Sequence, residues 1–194
     1  MIYSTATVPV NPEGERPLTR AQAWKGLVLK ARDARQFLPP NLCTRCEVVE
    51  ESATHIVREA AIAGDDLREI ITFEPENKVT FFQAIGPREG AIVNELFVDD
   101  AGALQLKFYC YTGLRGKQPN GSEEQAEQRQ FDSDKGYKAA LLSTLKRIRE
   151  LLEPMTGAGR VNAEVTVDMD FSVTEEAREL FNGEPPKLRS EQVC

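Results

Sequence analysis

Five polar side chains lie within segments that are otherwise apolar and β-branched, and these five could carry chemistry. They are Arg58, Glu69, Glu95, Tyr109 and Tyr111. If they face a cavity, a carboxylate can act as a general base and a tyrosine hydroxyl can hold an enolate oxygen. Glu95 is the best candidate for the catalytic base, because a carboxylate beside apolar neighbours such as Leu96 and Phe97 becomes a better base. Tyr109 is the candidate for the catalytic tyrosine that holds the enolate oxygen.

A second interpretation places the same side chains on the outer, solvated face of a sheet. Tyr109 and Tyr111 alternate with the apolar residues Phe108 and Cys110, and alternate residues of a strand point to opposite faces. The sequence leaves both interpretations open.

Motifs for metal or cofactor chemistry are missing from the sequence. It contains no glycine-rich phosphate loop, no nucleophile elbow and no zinc-protease motif. Cys43 and Cys46 form a C-x-x-C pair, but a zinc site needs about four nitrogen or sulfur ligands, and His55 is the only histidine. Residues three apart on a strand point to opposite faces, so we expect two reduced thiols, no metal and no cofactor.

The charge of the chain limits its partners. The sequence has 31 acidic against 24 basic residues, a net charge of −7, which repels nucleic-acid phosphates and anionic lipids. No apolar run reaches the roughly 18 residues of a membrane span, and the first residues lack the pattern of a secretory signal. We expect a cytoplasmic monomer or homodimer that binds a small molecule, and neither nucleic acid nor a membrane.

The order of predicted elements indicates an α+β fold with a seven-stranded antiparallel sheet. Residues 3–10 form a first strand, and Thr19 with Gln22 matches a capping box at the start of a helix. A short second helix covers residues 32–38. Turn signals then separate six short strands of a meander at 42–50, 53–63, 67–74, 78–85, 91–98 and 103–112. A long helix with an apolar stripe is predicted at 132–154.

The long helix is the only large apolar partner available to the buried face of this sheet. A helix packed into a curved sheet leaves space that side chains do not fill, which is the usual basis of a ligand cavity. We predict that the residues in contact with an apolar ligand are Trp24, Arg58, Glu69, Phe82, Phe108, Tyr111, Tyr137 and Leu141. For Trp24, packing within the first helix is the alternative role.

Several segments resemble a known family. They are the opening Val8-Pro9-Val10-Asn11-Pro12, the stretch Leu18-Thr19-Arg20-Ala21-Gln22-Ala23-Trp24-Lys25-Gly26-Leu27, the phrase Ile56-Val57-Arg58-Glu59 and the helix Thr144-Leu145-Lys146-Arg147-Ile148. Together they are similar to the AtaL-like family of the START/SRPBCC, or helix-grip, superfamily, which includes aromatic polyketide cyclases. The resemblance spans residues 3–152 and implies a curved sheet wrapped around a long helix. Family sequences carry consecutive acids in the sixth strand, where this chain has Asn94-Glu95-Leu96.

Two functions fit these observations. The first is a cofactor-free biosynthetic enzyme, a cyclase, dehydratase or isomerase of a polyketide- or peptide-like secondary metabolite, which needs a shaped cavity and one or two polar groups. The second is a non-catalytic carrier of a hydrophobic ligand. Inward acids and tyrosines favour the enzyme, and an all-apolar lining favours the carrier.

A C-terminal extension follows the resembling region. We assign residues 1–155 to the helix-grip domain and 156–194 to an extension that packs on it. Residues 161–171 alternate strictly between apolar and polar side chains, which predicts a strand that adds to a sheet edge. A capping-box match at Ser172 and Glu175 predicts a short helix after it.

Overall fold

The computed structural model describes residues 1–152, in which seven strands, the first α-helix and the last α-helix follow the predicted order and one further α-helix precedes that last helix. The strands are β1 (Ile2–Pro9), β2 (Cys43–Glu51), β3 (His55–Ile62), β4 (Asp65–Glu74), β5 (Lys78–Ile85), β6 (Arg88–Val98) and β7 (Leu104–Leu114). The α-helices are α1 (Arg20–Arg32), α2 (Ser122–Phe131) and α3 (Tyr137–Leu151), and a 3-10 turn covers Ala34–Gln36.

The strands form one curved antiparallel sheet in the order β1-β7-β6-β5-β4-β3-β2. Strands β2 to β7 are a meander in which each strand pairs with the next, and β1 pairs with β7. This confirms the predicted α+β fold and seven-stranded sheet.

Helix α1 begins at the capping box that the sequence predicts. The Gln22 backbone N–H donates to Thr19 Oγ1 over 3.1 Å, and the Thr19 backbone N–H donates to Gln22 Oε1 over 2.9 Å. The helix buries Ala23, Leu27 and Ala31. The predicted second helix at 32–38 is shorter than expected, since only the 3-10 turn Ala34–Gln36 forms there.

The predicted helix at 132–154 corresponds to α3, which begins five residues later at Tyr137, and α2 is a separate helix that lies before the predicted range. Helix α2 ends at Phe131, the Gly136 N–H closes a turn on the Ser133 carbonyl over 2.8 Å, and α3 begins at Tyr137. A side chain at position 136 would overlap the Phe131 carbonyl, so this turn requires glycine. The predicted apolar stripe of α3 is present and buries Leu141, Leu145 and Ile148 in the core.

The two helices have different partners on the sheet. Helix α3 packs against β1 and β7 and against α1, which places it over the inner face. Helix α2 lies beside the edge strand β1. There the Gln128 side chain accepts from the Tyr3 N–H over 2.8 Å and donates to the Tyr3 carbonyl over 2.6 Å. The amide of Gln128 therefore replaces one residue of a neighbouring strand at this edge.

The predicted C-terminal extension at 156–194, with its strand and helix, lies outside the described residues. Its packing on the domain stays a prediction.

Candidate functional site

A cavity of about 520 Å³ lies between the inner face of the sheet and the start of α3. This volume falls within the roughly 300–1,000 Å³ that is usual for small-molecule sites. Its apolar lining residues are Leu38, Leu42, Phe81, Ile92, Phe131 and Ala140. Its polar lining residues are Glu69, Gln83, Arg88, Thr112, Gln130, Lys135 and Tyr137, and Gly90 and Gly136 complete the wall.

The cavity opens to solvent between two loops. Among its lining residues, Leu42 precedes β2 and is exposed, and Gln130 and Lys135 near the α2–α3 turn are exposed as well. Ala140 on the first turns of α3 is also accessible. A ligand would therefore enter between the loop before β2 and the α2–α3 turn.

Four polar side chains and one glycine form a continuous row across the inner face. The strand register pairs Arg58 with Glu69, Glu69 with Gln83, Gln83 with Gly90, and Gly90 with Thr112. The adjacent inner row is apolar and consists of Ile56, Ile71, Phe81, Ile92 and Cys110. The polar row is therefore a single line of hydrogen-bonding groups beside a packed core.

A buried ion pair fixes one end of the polar row. Arg58 is 4% and Glu69 is 6% exposed. Arg58 Nε donates to Glu69 Oε2 over 3.0 Å, and Nη2 donates to the same oxygen. Arg58 Nη1 donates to the carbonyls of Lys30 and Ala31 at the end of α1, over 3.1 and 2.8 Å. The guanidinium group thus joins α1 to the sheet and sets the position of the Glu69 carboxylate.

Tyr137 brings a phenol to the opposite wall. Its ring stacks on Phe108 and Phe131, with centroids 3.7 and 4.4 Å away. Burial, with a smaller effect from Cys110, raises the pKa of Tyr137 far above its usual value. The hydroxyl group therefore stays protonated and can donate a hydrogen bond to a ligand oxygen.

Arg88 and Glu127 form an ion pair beside this wall. Arg88 Nε donates to Glu127 Oε1 over 2.7 Å, and the Arg88 guanidinium lies 5.6 Å from the centroid of the Phe131 ring. The pair connects β6 to α2 and holds the aromatic cluster of Phe131 and Tyr137 at the cavity.

Four predicted site residues lie on the outer face, away from the cavity. Glu95 pairs in register with Lys78 and Lys107, and these three belong to a line of alternating charge on that face. Tyr109 and Tyr111 are on the same face, because β7 alternates and Phe108 and Cys110 are the buried residues. The expectation that Glu95 and Tyr109 face the cavity as base and donor is therefore corrected.

Phe82 is the fourth predicted site residue on the outer face, and the neighbouring Phe81 lines the cavity instead. Phe81 is 8% exposed and lines the cavity, whereas Phe82 is 47% exposed. Lys78 and Thr80 share the outer face with Phe82, so the alternation at the start of β5 points to Phe81.

The outer face carries two different lines of residues beside the polar row. The line between the polar row and the apolar inner row consists of Val57, Ile70, Phe82, Ala91 and Tyr111, which pair with one another in register. In this line Ile70, Phe82 and Tyr111 are exposed, whereas Val57 is buried. The line on the other side is charged and includes the ion pair of Arg68 with Glu59.

The remaining predicted residues are close to the cavity or in the core. Arg58 stands behind Glu69, and Phe108 stands behind Tyr137. Leu141 is 2% exposed and belongs to the core. Trp24 packs edge-on against Phe73, with centroids 6.4 Å apart, and does not line the cavity.

Several lining residues are ones that the sequence interpretation missed. Gln83, Arg88, Thr112, Gln130 and Lys135 belong to this group. Thr112 continues the alternation of Phe108 and Cys110 by two residues and could have been found from it. The others become neighbours only through the strand register and the α2–α3 turn.

The two thiols of the C-x-x-C pair share one face, contrary to the sequence expectation. A register shift between Cys43 and Arg45 inserts an extra residue into β2, and both Cys43 and Cys46 become buried beside Ala34 and Ala60. Burial raises the pKa of the Cys43 thiol, which keeps it protonated. Within residues 1–152 no three His, Cys, Asp or Glu side chains are arranged to share a metal ion, and no helix is long and apolar enough to cross a membrane.

Solved structures of several proteins share this fold. A protein from Thermus thermophilus has a TM-score of 0.54 at 11% identity, over 78% of this chain and 99% of its own. The Zhui aromatase/cyclase from Streptomyces sp. R1128 has a TM-score of 0.52 at 18% identity, over 81% and 98%. The di-domain aromatase/cyclase StfQ from the steffimycin biosynthetic pathway has a TM-score of 0.54 at 10% identity, over 77% of this chain and 50% of its own. At these identities the likeness establishes the fold alone.

The C-terminal part matches a different protein. Residues 152–193 match the family model of the flagellar M-ring protein C-terminal. A flagellar M-ring protein of Pseudomonas aeruginosa is 41% identical over 64 residues, which are 33% of this chain and 10% of that protein. The chain therefore spans about a tenth of the length of this relative.

The model of a second family matches the part of the chain that contains the cavity. Its description is acetylaranotin biosynthesis cluster protein L, and it matches residues 4–154. This match covers well over half of the chain and includes every strand and helix described above except the first two residues of β1. The chain therefore belongs to the AtaL family, that of acetylaranotin biosynthesis cluster protein L.

Proposed function

We propose that the domain binds an apolar small molecule in the 520 Å³ cavity and acts on it as a cofactor-free biosynthetic enzyme. The observation that carries this proposal is the mixed lining, in which buried polar groups stand among apolar walls. A pure carrier needs only the apolar walls. The description of the family names a biosynthesis cluster, and one protein with the same fold is an aromatase/cyclase.

The chemistry assigned to the site is orientation with general acid–base assistance. Tyr137 donates a hydrogen bond to a carbonyl oxygen as negative charge develops on it, and this stabilises an enolate. Glu69 offers a carboxylate oxygen across the cavity that can receive a proton from the substrate. Cyclisation, dehydration or isomerisation of a polyketide- or peptide-like metabolite at a carbon next to a carbonyl group uses such an enolate and needs a defined substrate pose.

One observation favours a non-catalytic carrier as the second candidate. Arg58 engages the Glu69 carboxylate with two donors, which gives this carboxylate a structural role in joining α1 to the sheet. The choice between enzyme and carrier therefore depends on whether bound ligand is converted.

Binding in the cavity is tested by filling it. Ala140 lines the cavity, whereas Leu142 is on the same helix, is 45% exposed and does not line it. We expect Ala140→Trp to weaken binding of the neutral fluorescent probe N-phenyl-1-naphthylamine by about tenfold or more, which corresponds to about 1.4 kcal/mol. Leu142→Trp, the control, should bind the probe as the parent does. Equal binding by all three proteins would exclude the cavity as the site.

Catalysis is tested with Tyr137→Phe, which keeps the ring and removes the hydroxyl group. Parent and variant are each incubated with an apolar extract of the host, and bound and released compounds are compared by mass spectrometry. An enzyme should release a compound of altered mass or structure, and the variant should bind the substrate yet form far less product. A ligand that the parent retains and returns unchanged would establish the carrier instead.

A further inference from the structure

Thr112 carries a hydroxyl group that the fold itself does not use. The residue is 2% exposed, and Oγ1 has no hydrogen-bond partner within residues 1–152. Thr112 lines the cavity. Buried hydroxyl groups are nearly always hydrogen-bonded, so an unpartnered one at a cavity wall points to a partner that arrives with the ligand. Because Oγ1 itself has almost no accessible surface, the Thr112 side chain has to rotate towards the cavity to meet that partner.

Glu69, at the other end of the cavity wall, also has a polar atom without a hydrogen-bond partner in the described part of the chain. Both Arg58 donors go to Oε2, and Oε1 accepts no hydrogen bond from the described part of the chain. Because Arg58 is also anchored on two α1 carbonyls, the carboxylate is held in place before any ligand arrives. It presents a fixed acceptor to a ligand N–H or O–H group.

Gln83 and Gly90 lie between these two ends. Gln83 Oε1 accepts the Arg88 N–H over 2.9 Å, and its Nε2 has no acceptor among residues 1–152. Gly90 lines the cavity with its backbone, and glycine is required there because its φ is +116° and a Cβ would overlap the Tyr111 carbonyl. From Thr112 to Glu69 the row crosses three strand spacings, about 14 Å.

The inward polar residues support a functional origin of this row. Glu69 and Gln83 face inward, whereas Ile70 and Phe82, which are next to them in sequence, are 38% and 47% exposed on the outer face. Departures from the local pattern concentrate at functional sites.

We propose that Thr112, Gln83 and Glu69 form a specificity row, which selects ligands that carry a hydrogen-bond acceptor and a donor on one edge. Thr112 Oγ1 and Gln83 Nε2 donate to a ligand carbonyl, and Glu69 Oε1 accepts from a ligand hydroxyl or N–H group. This rests on the proposed function, since it assumes that the ligand occupies the cavity.

Three flat probes of one shape test the row by fluorescence titration. They are 2-phenylnaphthalene, which is apolar, flavone, which adds a carbonyl group, and 6-hydroxyflavone, which adds a hydroxyl donor on the same edge as the carbonyl group. The parent protein should bind 6-hydroxyflavone about tenfold more tightly than flavone, which is typical of a buried hydrogen bond to a carboxylate. Equal affinity of the parent for these two would remove Glu69 from the row.

Thr112→Val is the matching protein variant, and Thr80→Val on the outer face is its control. We expect Thr112→Val to lose about tenfold in affinity for flavone while its affinity for 2-phenylnaphthalene is unchanged or increased. Its melting temperature should not fall, because the variant removes a buried group without a partner. A structural role for the hydroxyl would instead lower the melting temperature and affect all three probes alike.

The two proposals fail in different ways. If the parent binds N-phenyl-1-naphthylamine but Thr112→Val and Thr80→Val bind flavone equally, the specificity row is refuted and cavity binding stands. If the Ala140→Trp test shows that the probe does not enter the cavity, the proposed function is refuted together with the row.

Discussion

Replacing Glu69 with leucine would leave the Arg58 guanidinium buried beside an apolar side chain. Removing one partner of a buried ion pair costs about 3–5 kcal/mol. Arg58 keeps its hydrogen bonds to the carbonyls of Lys30 and Ala31, so we expect the lower end, about 3 kcal/mol. For a chain of this size, that lowers the melting temperature by about 6–12 °C.

The double variant Arg58→Met/Glu69→Leu should be more stable than the single one. It removes both charges, and what remains is the loss of a donor to the Lys30 and Ala31 carbonyls. At about 1 kcal/mol for each lost hydrogen bond, the double variant should lie about 2 kcal/mol below the parent. A second substitution that recovers stability is the signature of an unpaired buried charge.

Urea unfolding followed by fluorescence measures these differences, because Trp24 is the only tryptophan and packs in the domain. Glu51→Gln is the control, since Glu51 pairs with Arg32 at the surface and such pairs contribute about 1 kcal/mol or less. The reasoning is refuted if Glu69→Leu is within about 0.5 kcal/mol of the parent, or if the double variant is less stable than the single one.

Two further predictions concern the packing of α1 against α3. A methyl group at Gly26 would overlap the Ile148 side chain, so Gly26→Ala should destabilise the domain by about 1–2 kcal/mol in urea unfolding. Adding Ile148→Val should recover part of this loss. An unchanged urea midpoint of Gly26→Ala would contradict the close contact. Burial, assisted by the charge of Arg58, lowers the pKa of Lys30 to about 8. Between pH 8 and about 10.5 the unfolded chain therefore binds more protons than the folded one, and the stability of the parent rises with pH. Lys30→Met should be more stable than the parent at pH 7, and this advantage should shrink across that range. An advantage that stays constant with pH would contradict the lowered pKa.

The elements of the fold could be predicted because their signals are local. The Thr19 and Gln22 capping box and the alternation of β7 each lie within a few residues. Helix α2 could not be found in this way, because residues 122–131 are almost entirely polar and carry no apolar stripe. Its position depends on contacts with β1, such as those of Gln128 with Tyr3, which is a tertiary effect.

The faces of the strands were harder to assign than the strands themselves. Strands β4 and β5 carry apolar residues on both faces, as Phe81 and Phe82 show, so the pattern does not say which side is inward. In β2 an extra residue reverses the expected orientation of Cys46 relative to Cys43. Glu95 was chosen for its apolar neighbours, but those neighbours face both sides of the sheet.

The polar row has a consequence for the folding landscape of the domain. In a minimally frustrated chain each local preference agrees with the native contacts, and at Glu69 in β4 and Gln83 in β5 it does not. A shift of these strands by one residue would bring Ile70 and Phe82 inward but would also expose Ile71 and Phe81, which are buried in the native register. The native register therefore buries more apolar surface, and the conflict is confined to the positions of the polar row. Selection for a ligand that fills this wall would preserve Glu69 and Gln83 at inward positions that selection for stability alone would fill with apolar residues.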